Sequence, residues 1–562
     1  MSSYYNLGDY SRLVTTQSAV AQRWFDRGLV WLYGFNHEES IRCFEKAVGI
    51  DPTCAMAWWG IAYAHGPYIN KEWRFYAADE LAATLKTVAA AIEQAQTYVV
   101  SGTAVEQALV GAIGQRYQSE TAVSLPELNS WHDDYAAAMA DVYAQFPDDL
   151  DVIALYAEAM MMRTPWKLWD VVTGEPMVGA DTLTMTAVLE RGMSLVEAQN
   201  LPPHPGIAHM YIHTMEMSPF PERALRAADG LRNLVPDSGH LNHMPSHIDV
   251  LCGHYYEAVV ASEKAIAADN KYLAQIGRFG QYTAACCHDH HLMMFAAMFL
   301  GQFRPAIASA NAILDLVTPD VLRAATPAFA ITLEAYHSMK MHVLIRFGKW
   351  EEIFAAPLPA EPDLYCVTTA MHHYAKAIAR AMLGDFVAAA KSRDAFEATV
   401  AMISPERHLF NNTSHAVLAV ARQMMLGEMA YHQGDYGIAF AHLREAVRLN
   451  DNLHYTEPWA WMHPPRHALG ALLLAQGQLE EAERVYEADL GLTDGLSRCS
   501  VHPDNVWSLH GYVECLERLG KTAVAAAFRP RLNIARARAD TPITASCACR
   551  VELPSCSCTS NC

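Results

Sequence analysis

Two short histidine-rich stretches hold the residue types that are most capable of chemistry in this chain. Residues 204–218 read HPGIAHMYIHTMEMS and residues 239–248 read GHLNHMPSHI. In the first stretch, His209 and His213 would share one face of a helix, and Glu216 follows three residues later on that face. Two imidazoles and a carboxylate in this arrangement suit Zn, Fe, Mn or Cu. The alternative is that these histidines only cap and bridge helices.

The second stretch contains a proline that indicates where a helix begins. Pro245 disfavours helical conformation at Met244, so we expect the helix to start there, with His247 in its first turn. His240 and His243 would then lie in the preceding loop, where side chains can converge on one point. Because a helix N-terminus carries partial positive charge, a structural anion site is the alternative.

A third histidine cluster follows at residues 286–294, which read CCHDHHLMM. His288 and His291 are three residues apart and can share a helix face. We expect the three clusters to fall on successive helical hairpins, which are neighbours in space in a repeat protein. The sequence therefore predicts one shared polar site, with scattered structural histidines as the alternative.

Helical periodicity runs through almost the whole chain, and strand signals are scarce. Residues 41–48 place apolar side chains at i, i+3 and i+4 spacing, and Asp51-Pro52 ends that pattern. Trp24 and Trp58 lie 34 residues apart in similar settings. A helix–turn–helix unit with a period of 34 residues is typical of tetratricopeptide repeats.

A glycine followed by an amphipathic helix recurs in the second half of the chain. Each such unit exposes an apolar face that only its neighbour can bury, which favours a stacked α-solenoid. We therefore predict an all-α fold, a tetratricopeptide-repeat-like superhelix of helical hairpins. The recurring glycines are Gly253, Gly301, Gly348, Gly384, Gly434, Gly477 and Gly520.

The patterns suggest four segments. Residues 1–74 read as N-terminal repeats, residues 75–200 as a helical insertion, and residues 201–540 as the solenoid that carries the histidine-rich site. Residues 541–562 read as a flexible, cysteine-rich tail without core-forming periodicity. Five of the thirteen cysteines fall in that tail. Soft thiolates prefer Cu(I) or Zn, so the tail predicts metal capture, with redox or disulfide chemistry as the alternative. These cysteines are Cys547, Cys549, Cys556, Cys558 and Cys562.

Composition excludes several functions. A formal net charge of −20 argues against nucleic acid and against anionic membrane surfaces, because both would be repelled. No apolar run is long enough to span a bilayer, and the N-terminal residues lack the pattern of a signal peptide, so we expect a cytoplasmic protein. The chain has no phosphate-binding loop, nucleophile elbow, HExxH motif or dinucleotide fingerprint. The sequence predicts no organic cofactor.

With these residues in hand, the chain resembles a family of tetratricopeptide-repeat proteins of bacteria and fungi. The resemblance covers most of residues 20–520 and includes HPG..H.YIH..E.S and GHL.HMPSHI. Its elements lie at residues 23–39, 51–62, 204–218, 239–248, 282–291 and 457–473. The extra His290 in HDHH and the cysteine tail depart from the family pattern. The resemblance implies a polar site formed by His37, His209, His213, Glu216, His243, His247, His288 and His291.

Together, these patterns predict a metal-dependent oxidoreductase that acts on a small molecule. Copper is the preferred metal, and iron or zinc are alternatives. Glu216 and His37 are the candidate catalytic residues. Two other functions stay open: a protein-interaction scaffold with structural histidines, binding a protein partner in its concave groove, and a copper storage or delivery protein. The candidate metal ligands are His209, His213, His243, His247, His288 and His291.

Overall fold

The structure is a computed structural model that describes residues 4–550. The chain divides into two compact units. Unit 1 comprises Met1–Ile248 and Ala261–Asp289, and unit 2 comprises Asp249–Val260 and His290–Cys562. Both units consist of helices that pair with their sequence neighbours. This confirms the predicted all-α class of tetratricopeptide-like helical hairpins.

Unit 1 contains the first eleven α-helices. A further three, α12, α13 and α14, contribute residues to both units. The helices are α1 (Ala19–Tyr33), α2 (His37–Ile50), α3 (Ala55–Ala64), α4 (Ala78–Tyr98), α5 (Ala104–Arg116), α6 (Leu125–Gln145), α7 (Leu150–Met161), α8 (Thr182–Ala198), α9 (Pro205–Met215), α10 (Leu225–Leu231), α11 (Gly239–His243), α12 (Pro245–Leu251), α13 (Tyr255–Ile276) and α14 (Tyr282–Leu300).

Unit 2 continues the helical pattern and adds one two-stranded antiparallel ribbon, β1 (His408–Leu409) and β2 (Asn412–Thr413). Its helices are α15 (Phe303–Leu316), α16 (Pro319–Ala324), α17 (Pro327–His337), α18 (Lys340–Arg346), α19 (Trp350–Ala355), α20 (Cys366–Met382), α21 (Phe386–Met402), α22 (Ser414–His432), α23 (Tyr436–Asp451), α24 (Pro465–Ala475), α25 (Leu479–Leu490), α26 (Val506–Arg518) and α27 (Thr522–Arg538). Short 3-10 helices lie at Trp73–Phe75, Val99–Ser101, Pro221–Ala224, Arg498–Ser500 and Ala548–Arg550.

Close packing in the first hairpin depends on an aromatic ring between two glycines. Phe44 of α2 is fully buried. A Cβ atom at Gly28 in α1 would lie 2.6 Å from its ring, and one at Gly60 in α3 would lie 2.7 Å from it. Because neither glycine has a side chain, α1, α2 and α3 can all pack against the Phe44 ring. Tyr486 of α25 is enclosed in the same way in unit 2.

The recurring glycines of the sequence are turn positions. All of them lie between helices and have positive φ angles, from 61° to 90°. Glycine adopts this left-handed conformation without steric cost, so it ends one helix and permits the next. The turn pattern is confirmed at Gly253, Gly301, Gly348, Gly384, Gly434, Gly477 and Gly520.

Residues 541–550, which we expected to be flexible, pack onto unit 2. Ser546 is fully buried, and its hydroxyl lies 2.6 Å from that of Tyr486. The Arg346 guanidinium donates to the Ser546 carbonyl. Polar contacts hold this segment in place. The spacing of apolar residues in the sequence gives no sign of such contacts. The rest of the tail, residues 551–562, lies outside the described residues.

Among residues 4–550, no helix combines the length and the hydropathy that a membrane span requires.

Replacement of Gly60 by alanine should destabilise unit 1 although alanine favours helices. The new methyl group would press on three atoms of the Phe44 ring. Overpacking costs about 1–3 kcal/mol and outweighs a helix-propensity gain of about 1 kcal/mol. We expect the free energy of unfolding in urea to fall by roughly 1–2 kcal/mol. Gly111→Ala is the control, because Gly111 lies in α5 with open space around it, and this variant should be stabilised.

Candidate metal centre

The first histidine stretch forms α9 as predicted. His204 is its N-cap, and the ring Nδ1 accepts a hydrogen bond from the Ile207 amide at 3.2 Å. Pro205 occupies the first helical position, where its missing N–H is no loss. His209 and His213 therefore share one face, and Glu216 ends the helix on that face.

The second stretch forms two consecutive short helices, α11 and α12. A helix does begin at Pro245, as predicted. The expectation of a loop before it was wrong, because Met244 keeps helical angles (φ −48°, ψ −40°) despite the following proline. His240 and His243 are thus three residues apart on α11, on adjacent positions of one helix face.

Six histidines of unit 1 form two groups of three. Within each group, one ring nitrogen per residue lies within 4.8 Å of the others. The first histidine trio is His209, His213 and His240. The second histidine trio is His243, His247 and His288. The trios are adjacent, since the ring centroids of His213 and His247 lie 5.7 Å apart and those of His240 and His243 lie 5.9 Å apart.

The Nε2 atoms of the trios face one another. In the second trio, His243 Nε2 lies 2.6 Å from His247 Nε2 and 2.9 Å from His288 Nε2. In the first trio, His209 Nε2 and His240 Nε2 are 3.1 Å apart. Imidazoles that share one ion lie about 3.3 Å apart, because each nitrogen sits about 2.0–2.1 Å from the metal. The observed separations are shorter than this, so the rings would move slightly apart to hold an ion.

The other ring nitrogen of three of these histidines is held by an acceptor. His209 Nδ1 donates to the Tyr33 carbonyl at 2.6 Å. His213 Nδ1 and His247 Nδ1 donate to the two oxygens of Glu216, at 2.8 and 2.7 Å. In a neutral ring with its proton on Nδ1, Nε2 carries a lone pair. These bonds therefore direct lone pairs toward the space inside the trios.

Burial favours the neutral, metal-binding form of three of the rings. Burial, reinforced by the neighbouring imidazoles, lowers the pKa values of His209, His240 and His243 well below the usual range. Burial alone would raise the pKa of Glu216, but His213 and His247 hold that pKa well below its usual value. An ionised carboxylate therefore lies behind two ligand rings, an arrangement common around metal-binding histidines.

One expected metal ligand, His291, lies outside the trios. His291 belongs to unit 2, where its Nε2 is 2.9 Å from Met462 Sδ and its ring stacks on Phe410. Burial lowers the pKa of His291 to about 3. His240 takes part in the first trio instead, although the expected ligand set omitted it. The i, i+3 spacing of His240 and His243 could have indicated that His240 is a ligand. We had expected a loop rather than a helix at these residues, so this spacing was not used.

His37 lies near Phe35, with ring centroids 6.4 Å apart. Its Nδ1 donates to the Ala64 carbonyl at 2.8 Å, and burial lowers its pKa to about 3. Its Nε2 is buried and has no hydrogen-bond partner. The ring stacks on Tyr68 with centroids 4.1 Å apart. His37 is thus a neutral acceptor among aromatic rings.

Phe35 covers the first trio from the loop between α1 and α2. Its ring centroid lies 4.3 Å from that of His209, 5.2 Å from His240 and 5.9 Å from His213. Its φ angle is +55°, a left-handed conformation that costs a residue with a Cβ about 1–3 kcal/mol. The Asn36 amide donates to the Trp31 carbonyl and helps to fix this turn.

Part of the cysteine-rich tail can be described. Cys547 and Cys549 are joined by a disulfide. As a disulfide they are not thiolate ligands, which favours the redox alternative for this pair. Cys556, Cys558 and Cys562 lie outside the described residues.

Comparisons with known proteins support the repeat class. The tetratricopeptide repeat family matches residues 21–54, so the chain carries a repeat of this family. No match was found among curated proteins. Solved structures with similarity include a human IFIT1 dimer with m7Gppp-AAAA (9% identity, 93% of this chain and 91% of that chain, TM-score 0.32). Another is yeast Tom70 (10% identity, 92% of each chain, TM-score 0.27). Scores of this size support no inference about function.

Glu216→Gln should destabilise the metal-free protein. The glutamine carbonyl can accept from one histidine, but its amide would face the N–H of the other and leave a buried donor unpaired. We expect the free energy of unfolding in urea to fall by about 1–3 kcal/mol. Glu120→Gln, at an exposed position, should change it by less than about 0.5 kcal/mol. Equal stability of both variants would contradict the bridging role of Glu216.

The left-handed backbone conformation at Phe35 should reverse the usual order of stability of an alanine and a glycine substitution. Both Phe35→Ala and Phe35→Gly remove the ring, but only alanine meets the steric cost of positive φ. Phe35→Ala should therefore be less stable than Phe35→Gly by about 1 kcal/mol in urea unfolding. At the exposed Phe220, where φ is −133°, alanine should be the more stable replacement. If alanine and glycine rank in the same order of stability at both positions, the backbone at Phe35 is not strained.

Proposed function

We propose that this protein is a metal-dependent oxidoreductase whose centre holds two copper ions, one in each histidine trio. The single observation that carries the proposal is the convergence of buried imidazole nitrogens in two adjacent groups of three. Nε2 atoms that lie 2.6–3.1 Å apart in a buried site need a shared N–H proton or a cation between them. One such proton joins only two nitrogens, whereas a metal ion can bind all three rings of a trio, so a metal ion is the better partner.

The ligand set favours copper over the alternatives. Imidazole suits copper, zinc, iron and nickel. An iron site built from two histidines and Glu216 is disfavoured, because both oxygens of Glu216 already accept ring N–H groups. Three imidazoles leave an open position on each ion, as catalytic sites require. Among imidazole-bound divalent ions, copper binds most tightly.

The chemistry follows from two adjacent open positions. When bound, a copper pair would supply reversible electron transfer and a place for dioxygen. The chain itself contributes imidazole ligands, fixed ring orientations and exclusion of water. His209 is oriented by the Tyr33 carbonyl, and His213 and His247 are oriented by Glu216. Glu216 is therefore a positioning residue in this proposal, in place of the catalytic role expected from the sequence.

A protein-interaction role is a second candidate, and the repeat at residues 21–54 favours it. Tetratricopeptide arrays commonly bind peptides in a groove. The two roles are compatible, since a repeat scaffold can carry a metal centre and contact a protein partner. A scaffold alone gives no reason to bury six facing imidazoles in unit 1.

The test is the metal content of the full-length protein, purified without a histidine tag and reconstituted with copper. We expect about two copper ions per chain, one for each trio. His213→Ala should retain about one ion, His243→Ala about one, and the double variant none. His408→Ala is the matched control at an exposed histidine and should keep both ions. Absence of stoichiometric copper from the unmodified protein, or full copper in the double variant, would refute the proposal.

Truncation separates catalysis from storage or delivery. The cut belongs after Arg550, because residues 541–550 pack onto unit 2 and their removal would expose buried surface. Loss of copper in the protein ending at residue 550 would favour storage or delivery by the tail. Retention of two ions places them in the trios. If cells are supplied with zinc and copper equally and the protein contains zinc, the metal site is supported but the reaction class changes.

A further inference from the structure

Phe35, which lies against the first histidine trio, also contacts two further aromatic side chains of unit 1. We call Phe35, His37 and Tyr68 the aromatic cap. The Phe35 and Tyr68 ring centroids lie 5.0 Å apart, and Tyr68 stacks on His37. All three belong to unit 1, as does the trio.

The position of the Phe35 ring is maintained against a backbone preference. Phe35 stacks on His240 with an interplanar angle of 27° and on His213 with an angle of 14°. Its positive φ is a conformation that phenylalanine rarely adopts. Strained residues of this kind concentrate at ligand sites, where the surrounding structure fixes them. The ring thus lies nearly parallel to two of the three trio rings, the geometry that a flat ligand stacked on them would adopt.

The cap contains one unused polar atom. His37 donates through Nδ1 to the Ala64 carbonyl, which leaves a lone pair on Nε2. That atom is buried without a partner, and the residue is only 7% exposed. An unpaired buried acceptor is costly, so a donor is expected to satisfy it in some state of the protein. The acceptor lies beside the ring that covers the trio.

We propose that Phe35 occupies the place of an aromatic substrate ring, and that His37 Nε2 accepts a hydrogen bond from that substrate. The substrate class is a neutral phenol or arylamine, whose ring stacks on the first trio and whose O–H or N–H group donates to His37. A carboxylate is disfavoured, because the cap offers an acceptor and the anion Glu216 lies behind the trio. This inference rests on the proposed function, which gives the site its reaction.

Binding of three probes to the full-length protein tests the proposal by calorimetry, with and without copper. Phenol has a ring and a donor, anisole has a ring without a donor, and cyclohexanol has a donor without a ring. We expect Phe35→Ala to raise the affinity for phenol by roughly three- to tenfold, because the competing ring is gone. Phenol should bind this variant roughly three- to tenfold more tightly than anisole, and cyclohexanol should bind weakly. Phe35→Gly should behave in the same way and tolerates the left-handed turn.

Adding His37→Ala to Phe35→Ala should remove the preference for phenol over anisole. Phe410→Ala is the matched control, because Phe410 also has a left-handed φ of 55° and stacks on a single histidine in unit 2. It should leave phenol affinity unchanged. Unchanged affinity in both Phe35 variants, or equal binding of phenol and anisole in Phe35→Ala, would overturn the inference. Metal content is measured separately, so failure of the copper proposal gives a different result.

Discussion

The buried carboxylate of Glu216 is the interaction on which the centre depends. It accepts one N–H group from His213 in the first trio and one from His247 in the second. A single anion therefore sets the orientation of a ring in each group and joins α9 to α12. In a buried, low-dielectric environment, these charge-assisted bonds are strong, and their loss would leave donors that water cannot reach. This anion and the Tyr33 carbonyl satisfy the outward nitrogens of three of the six buried imidazoles.

The helical repeat supplies the rigidity that such a site requires. Phe44 packs between Gly28 and Gly60, so α1, α2 and α3 approach closely. That packing fixes the loop after α1, which carries Phe35, and the end of α1, which carries the Tyr33 carbonyl. Sites built on packed helices hold their geometry better than sites on mobile loops. The strained turn at Phe35 persists because its surroundings determine it.

Sequence periodicity predicted the fold class, the glycine turns and the face shared by His209, His213 and Glu216. These features depend on local rules, in which side-chain period and glycine conformation act within a few residues. The same rules failed at Met244, where tertiary packing kept a helical conformation before proline. They also failed at residues 541–550, where buried hydrogen bonds to Tyr486 and Arg346 replaced apolar periodicity.

The sequence by itself determined that histidines and a glutamate would share helix faces, since spacing along a helix fixes direction. Only the tertiary structure decided which of them meet. It brought His240 into the first trio, placed His291 beside Met462 in unit 2, and gave both oxygens of Glu216 to ring N–H groups. The reason is physical: helix spacing is a local property, whereas convergence depends on how hairpins far apart in sequence pack against one another.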